Sequence, residues 1–312
     1  MLTQQIKSKA LELGFSKVGI AKAEVLSEDG EHLKEWLHRG YHASMKWMGE
    51  NFEKRIDPQK ILPGARSIIS VAVNYYTDVQ HHPTNGQGKV SRYAWGDDYH
   101  IHVTARIQKL FDCIKQMAPE SAGRYYVDTG PVMDKAWAER AGLGWRGKHT
   151  NLITKEYGSW VFLGEIISTL ELEYDTPMED FCGSCTACLD ACPTKAITEP
   201  YVVDSNKCIS YLTIEHRGEI AESFAPFFEQ WVYGCDICQD VCPWNKFQQQ
   251  TEDTEFAPRE GNVTPSLDGL CSLTQEDFSR KFKKSPIKRT KREGLKRNAE
   301  FINHAQKNLR KK

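Results

Sequence analysis

The residues best suited to chemistry are cysteines, and eight of the ten in the chain lie between residues 182 and 242. Cys182, Cys185, Cys188 and Cys192 have the spacing C-x2-C-x2-C-x3-C and are followed by Pro193. This spacing is typical of 4Fe-4S proteins, in which three thiolates hold one cluster and the fourth reaches a second one. In a chain of 312 residues without an export signal, such clustering indicates metal binding rather than a disulfide framework.

A second half-motif, Cys235-x2-Cys238-x3-Cys242-Pro243, lacks one central cysteine, which Cys208 can supply. The pseudo-symmetry of the two halves predicts two ligand sets: Cys182, Cys185, Cys188 and Cys242 for cluster 1, and Cys192, Cys208, Cys235 and Cys238 for cluster 2. A pair of zinc sites is the alternative, because tetrahedral zinc also binds paired cysteines. Since 4Fe-4S clusters transfer single electrons, the rest of the chain must hold a reaction centre or dock a partner.

The elements that position these residues form an alternating pattern. Runs rich in β-formers predict strands over 17–21, 67–73, 124–127 and 160–163, and periodic apolar residues predict helices over 3–14, 103–117 and 132–141. We therefore predict an α/β or α+β layered domain over residues 1–170. An acidic segment with Pro177 then introduces a ferredoxin-like two-cluster domain over 171–255, and a short helical basic segment occupies 256–312.

A glycine-rich segment, Val127 to Lys148, joins the end of a predicted strand to a helix and a loop. Such a loop lets the backbone approach a large flat ligand. No Gly-x-Gly-x-x-Gly follows a strand and no Walker loop is present, so no fingerprint of a nucleotide cofactor is found.

Four segments together resemble the epoxyqueuosine reductase family: Asp128 to Lys148, the Cys182 run, Cys208 to Glu215, and Cys235 to Asn245. The resemblance covers nearly the whole chain. It implies a cobalamin-dependent iron–sulfur enzyme of the reductive-dehalogenase type, which removes the epoxide oxygen from epoxyqueuosine at the wobble position of a tRNA anticodon loop, the last step of queuosine biosynthesis. It also implies that an external low-potential donor of the flavodoxin or ferredoxin type reduces the clusters, which in turn reduce cobalt.

Asp134 matches the family's proton donor, the acid of a Pro-Val-x-[Asp/Glu]-x-Ala motif found here at residues 131–136. Breaking two C–O bonds consumes two electrons and two protons, and an alkoxide leaves poorly unless an acid meets it. We expect burial to keep Asp134 protonated. The alternative is an acid placed at a helix start, where the macrodipole favours it.

The resemblance implies further contacts with cobalamin or substrate, from residues 92–100 and from isolated positions: Arg55, Asp57, Asp97, Tyr99, His100, Ser159 and Ser210. The Asp-x-His-x-x-Gly signature of proteins that bind cobalt through histidine is incomplete, because Val103 replaces its glycine. We therefore do not expect His100 to be a cobalt ligand. A structural role in the core is an equal alternative for Tyr99 and His100.

The C-terminal segment carries a charge that the formal net charge of −1 conceals, since residues 280–312 hold fourteen Lys/Arg and two Glu. A polyanionic partner is the functional interpretation, and a solvated basic helix end is the alternative. By resemblance, the tRNA contacts are Lys288, Arg289, Lys291, Arg292, Lys296, Arg297 and Asn298. Family members often continue into a helical-repeat extension, so in a chain ending at Lys312 the basic segment is expected to carry more of the binding.

Two other classes of protein share some of these features. A corrinoid reductive dehalogenase of small organohalides would contain the same clusters and cobalamin, but neither the basic segment nor the missing export signal favours it. A non-catalytic electron carrier would not need a first domain of about 170 residues. With no apolar run long enough to cross a membrane and no heptad pattern, we expect a cytoplasmic monomer.

Overall fold

The computed structural model describes residues 1–309, in which helices and strands alternate over the first half of the chain. The helices are α1 (Leu2–Glu12), α2 (Ser27–His38), α3 (Phe52–Ile56), α4 (Tyr99–Met117), α5 (Asp134–Arg140), α6 (Ala187–Ala191), α7 (Ile209–Ile214), α8 (Ile237–Asp240), α9 (Leu267–Ser272), α10 (Gln275–Lys281) and α11 (Lys291–Leu309). The strands are β1 (Lys17–Lys22), β2 (Ser67–Asn74), β3 (Lys89–Val90), β4 (Gly123–Tyr126), β5 (Trp145–Arg146), β6 (Leu152–Ile153), β7 (Val161–Ser168), β8 (Ile197–Glu199), β9 (Val202–Val203) and β10 (Trp231–Tyr233). The predicted mixture of helices and strands is confirmed.

A central sheet of order β1-β2-β7-β4 organises the first half, and each of its strand pairs is antiparallel. The fold is therefore of the α+β kind within this half. All eight residues of β2 are buried, because helices cover both faces of the sheet. Ile6 of α1 and Ile107 of α4 pack on one face, whereas Trp137 of α5 packs on the other.

Two helix starts place candidate site residues at the edge of this sheet. Asp98 caps α4, because its side chain accepts a hydrogen bond from the His100 N–H at 3.1 Å. Tyr99 and His100 thus occupy the first turn of α4. Helix α5 begins at Asp134 without a side-chain cap, directly after the loop that leaves β4.

The second half shares a hydrophobic core with part of the first. Strand β10 pairs in parallel with β3, and Trp231 packs in one buried cluster with Val90, Trp95 and Leu295 of α11. This cluster joins residues from all three predicted domains, and the boundaries at 170 and 255 stay a prediction. No helix within residues 1–309 has both the length and the hydropathy that a bilayer span requires.

Candidate active site

The eight clustered cysteines lie in two neighbouring groups. Cys242 is close enough to Cys182 and Cys185 for their thiolate charges to interact, and Cys188 interacts with both Cys182 and Cys242. Cys238 lies in the same way near Cys208 and Cys192, and Cys235 lies near Cys238 and Cys208. Members of each predicted ligand set therefore neighbour one another, and the assignment of ligands to clusters stays a prediction.

Each Cys-Pro pair, at residues 192–193 and 242–243, directs its cysteine toward the other group of cysteines. Helix α6 is followed directly by Cys192 and α8 is followed by Cys242, and both cysteines have extended backbone, with ψ near 109° and 121°. A residue before proline is restricted to such angles, so each of these cysteines turns away from its own helix. Cys188 also lies near Cys238, which places the two groups side by side.

A cleft opens between this cysteine region and the central sheet. Its outer cavity has a volume of about 1200 Å³ and its inner cavity about 280 Å³. The two share lining residues: Tyr93, Tyr99, Asp128, Lys135 and Ser210. Cys208 lines the outer cavity and Cys235 the inner one, so the cluster 2 group borders the cleft.

Asp134 lines the inner cavity of this cleft. Its Oδ1 atom is shielded from solvent and has no hydrogen-bond partner among the described residues. Burial raises the pKa of Asp134, and the charge of Asp128 raises it further. The carboxyl is thereby disposed to hold a proton at a pH where a free aspartate has lost it.

Glu165 on β7 is a second buried acid, and the sequence analysis missed it. It is fully buried, no N–H or hydroxyl group within residues 1–309 donates to its carboxylate oxygens, and the Asp134 carboxyl lies within hydrogen-bonding reach of it. Burial raises its pKa well above the usual value, and Asp134 adds to the effect. The sequence could have indicated this residue, because it is the single acid in the apolar run Val161–Ser168, where an unpaired charge lowers stability.

Asp128 connects the first turn of α4 to the cleft. It accepts a hydrogen bond from the Tyr99 hydroxyl at 2.6 Å, and His100 Nε2 lies 3.6 Å from the same carboxylate. Its φ of 55° is left-handed, an uncommon conformation for a residue other than glycine. Burial would lower the pKa of His100, but its carboxylate neighbours Asp128 and Asp98 raise it to about 9. The imidazole is therefore a cation, held between two acids.

The other predicted contact residues divide into two groups. Arg55 lines the outer cavity, Ser159 the inner one, and Ser210 both. Asp57 lines neither cavity, and its carboxylate instead caps a short 3-10 turn by accepting from the Gln59 N–H. Asp97 forms an ion pair with Arg259 and lies 3.3 Å from His102, again outside both cavities. Asp57 and Asp97 therefore have partners within the protein, and their expected contact with cofactor or substrate stays a prediction.

Lys135 is a further cleft residue that the sequence analysis did not single out. It lines both cavities, as well as a neighbouring cleft of about 1070 Å³. Its Nζ donates to Asn151 Oδ1 at 2.9 Å. Its position next to Asp134 in the sequence could have identified it.

Some of the residues predicted to contact tRNA in the basic segment are exposed to solvent. Lys288 and Arg289 are exposed and line the mouth of the outer cavity, although Arg289 also pairs with Glu215 at 2.8 Å. Lys291 is exposed and Lys296 is partly so. Residues 310–312, the end of this segment, lie outside the described part of the chain.

Three predicted contacts in the segment are engaged within the protein. Asn298 is fully buried and donates to the Thr213 and Val232 carbonyls, so its expected tRNA contact is wrong. Arg297 donates to the carbonyls of His216, Gly218 and Leu212, at the end of α7 and beyond it. Arg292 donates to the Leu273 carbonyl. These inward contacts hold α11 in place.

Comparison with known proteins identifies related families. A model described as "Epoxyqueuosine reductase QueG, DUF1730" matches residues 55–129, and one described as "4Fe-4S double cluster binding domain" matches residues 181–245. The second match supports iron–sulfur clusters over the zinc alternative. An epoxyqueuosine reductase of Leadbetterella byssophila is 48% identical over 301 residues, which cover 96% of this chain and 98% of that protein.

Two solved structures of epoxyqueuosine reductases are also similar. One, with an epoxyqueuosine-modified stem loop of tRNA-Tyr, has a TM-score of 0.92 at 33% identity, covering 96% of this chain and 80% of that one. The other, from Bacillus subtilis, has a TM-score of 0.90 at 32% identity with the same coverage, and is described with its aspartate-bearing catalytic loop swung out of the active site.

Proposed function

Because the chain belongs to the epoxyqueuosine reductase family, we propose that it reduces epoxyqueuosine to queuosine at the wobble position of tRNA. One observation carries the proposal: Asp134, a buried acid with no donor to its Oδ1 atom within residues 1–309, lines the same cleft as Cys208 and Cys235. An acid and an electron source therefore meet in one cavity. A reductive cleavage of C–O bonds needs both.

Cobalamin fits the outer part of the cleft. A volume of about 1200 Å³ exceeds the roughly 300 to 1,000 Å³ of usual small-molecule sites, so it suits a large cofactor. Arg55, Tyr99 and Ser210 on its walls, with Ser159 deeper inside, would hold the group. Bound there, cobalamin supplies low-potential two-electron chemistry to the substrate. His100 is engaged by Asp98 and Asp128.

The protein's own residues handle protons and exclude water. Asp134, kept protonated by burial, donates to the departing epoxide oxygen and so avoids an alkoxide leaving group. The buried Tyr99 hydroxyl fixes Asp128, whose charge in turn disfavours ionisation of Asp134. Stacking of Tyr99 on Phe162, with ring centroids 4.2 Å apart, keeps this wall rigid.

A tRNA anticodon loop fits the mouth of the cleft. Lys288 and Arg289 line this mouth, and Lys291 and Lys296 continue the positive surface along α11. Such residues hold phosphates while an unstacked base enters the pocket. A tRNA substrate also agrees with a cytoplasmic location.

An external donor of the flavodoxin or ferredoxin type would deliver electrons on the side of cluster 1. Cys185 is exposed there, and Phe181 and Phe247 are 38% and 47% exposed. Lys155 and Lys246 lie over these rings at 4.3 and 4.9 Å. An aromatic surface with cations suits an acidic electron carrier. Clusters held by the two groups of cysteines would carry its electrons from this surface toward the cleft.

Anaerobic reconstitution with iron, sulfide and cobalamin, followed by mass analysis of tRNA nucleosides, tests this function. We expect epoxyqueuosine to disappear and queuosine, one oxygen atom lighter, to replace it. Persistence of epoxyqueuosine while a small organohalide is reduced would instead assign the protein to the dehalogenases. Failure to bind any corrinoid would favour the electron carrier.

A further inference from the structure

Glu165 points from the sheet toward the helix that carries Asp134. Side chains alternate along β7, so that Phe162 and Ile166 pack with α4 while Leu163 and Ile167 pack with α5. Glu165 shares the side of Leu163 and Ile167. It therefore faces α5, whose first residue is Asp134, and the two carboxyls are close enough to shift each other's pKa.

No cation among the described residues pairs with Glu165. Its neighbours across the sheet are Ser70 on β2 and Tyr126 on β4. Ser70 is fully buried and its Oγ has no hydrogen-bond partner in the described chain, and no hydrogen bond joins the Tyr126 hydroxyl to Glu165 there. The acids that face the site are Asp134, which holds a proton, and Asp128. The cation of α5 that lines the inner cavity, Lys135, donates to Asn151 instead. An ionised Glu165 would be a buried, unpaired charge facing the negative charge of Asp128.

We propose that Glu165 is a positioning residue that keeps a proton in reserve and passes it to Asp134 during the reaction. Asp134 touches the substrate, and Glu165 acts through Asp134. This inference rests on the proposed function, because the need for a second proton comes from that reaction. Burying an acid here lowers the stability of the folded protein, and a role in proton transfer explains why an acid is nevertheless present.

The reaction consumes what such a pair can supply. Two C–O bonds of the epoxide break, a carbon–carbon double bond forms, and the oxygen leaves as water. Two electrons come from the clusters, and two protons are added to the one oxygen. Asp134 donates the first proton, takes the proton of Glu165, and donates again. Solvent then reprotonates the pair after the product leaves.

Infrared difference spectra of the cluster-loaded enzyme test the resting state without any substrate. Carbonyl bands of protonated carboxylic acids should be lost separately in Asp134→Asn and in Glu165→Gln, one band in each variant. The band that Glu165→Gln removes must be retained in the Asp134→Asn protein, in which the other buried acids, such as Asp236, are unchanged. Absence of a protonated Glu165 band there overturns the proposal, whether or not the wild type reduces epoxyqueuosine.

Turnover tests the transfer itself, with Ser70→Ala as the matched control for loss of a buried polar group at the same place. Glu165→Gln should reduce kcat at least about tenfold with KM for tRNA unchanged, the scale of a lost proton-transfer step. Its kcat should also fall about tenfold per pH unit as reprotonation from solvent becomes limiting, whereas the wild-type profile stays flat near neutral pH. Wild-type kcat and pH profile in Glu165→Gln, or an equal loss in Ser70→Ala, would refute the role.

Discussion

Replacement of Asn298 by alanine separates the structural part of the basic segment from its RNA-binding part. Asn298 Nδ2 donates to the carbonyls of Thr213 and Val232 at 2.8 and 2.9 Å, and its Oδ1 accepts from Arg297 at 2.7 Å. The Thr213 carbonyl keeps a second donor, the Thr290 hydroxyl at 3.0 Å. The variant thus loses the side-chain donor to the Val232 carbonyl, one of the two donors to the Thr213 carbonyl of α7, and the acceptor of the Arg297 guanidinium.

The expected loss follows from these contacts. A buried polar group left without its partner costs about 1 to 3 kcal/mol, and the small void left by the amide adds to that. We expect Asn298→Ala to lower the free energy of unfolding by about 2 to 4 kcal/mol. The folded fraction should bind tRNA as the wild type does, because the side chain is fully buried.

Lys288→Ala is the matched control from the same segment. Lys288 is exposed at the cleft mouth, so its loss should change stability by less than about 0.5 kcal/mol. It should weaken tRNA binding and reduce the slope of log affinity against log salt by about 1. Guanidinium unfolding of cluster-loaded protein and a salt titration of tRNA binding measure the two effects. If Asn298→Ala keeps its unfolding midpoint and loses tRNA affinity, the assignment of roles is wrong.

Three other perturbations test the protonation of His100, the cluster ligand Cys192 and the donor surface at Lys246. The raised pKa of His100, about 9, contributes stability that is complete below pH 6.5 and is lost as the pH rises through 9. Thermal unfolding should show this loss in the wild type and not in His100→Asn. Cys192→Ser should lower the iron content to about half while the other cluster's electron paramagnetic resonance signal persists; a full iron content would contradict the ligand assignment. Lys246→Glu should slow reduction by an acidic protein donor but not by dithionite, and equal slowing by both would remove the donor surface from this side.

The sequence predicted those features that depend on residues close to one another along the chain, such as the spacing of the cysteines. Cysteine spacing specifies a ligand pattern because proline and short helices fix how far apart neighbouring thiolates can lie, and the structure brings Cys192 and Cys242 to the opposite groups. The strand near residues 67–73 was predictable because β-branched residues and turn signals surround it. The helix at Ser27–His38 was missed, since its polar sequence has only a few buried positions, among them Leu33.

Features that depend on tertiary contacts were not predictable. Arg297 and Asn298 look like other members of a basic helix, and only the packing of α11 against α7 and β10 turns them inward. Glu165 has no motif around it, and its importance comes from facing Asp134 across layers of the fold. Asp97 is adjacent to cleft residues in the sequence, but the ion pair with Arg259 holds it elsewhere.

Single-turnover reduction of epoxyqueuosine-containing tRNA by Asp134→Asn shows whether the buried acid protonates the epoxide oxygen. The variant keeps the shape of the inner cavity and removes the proton at its Oδ atoms. We expect the clusters, the cobalamin spectrum and tRNA affinity to be retained while the rate of queuosine formation falls about 10²- to 10⁴-fold. Queuosine formation at the wild-type rate would show that the acid in this cleft does not protonate the epoxide oxygen.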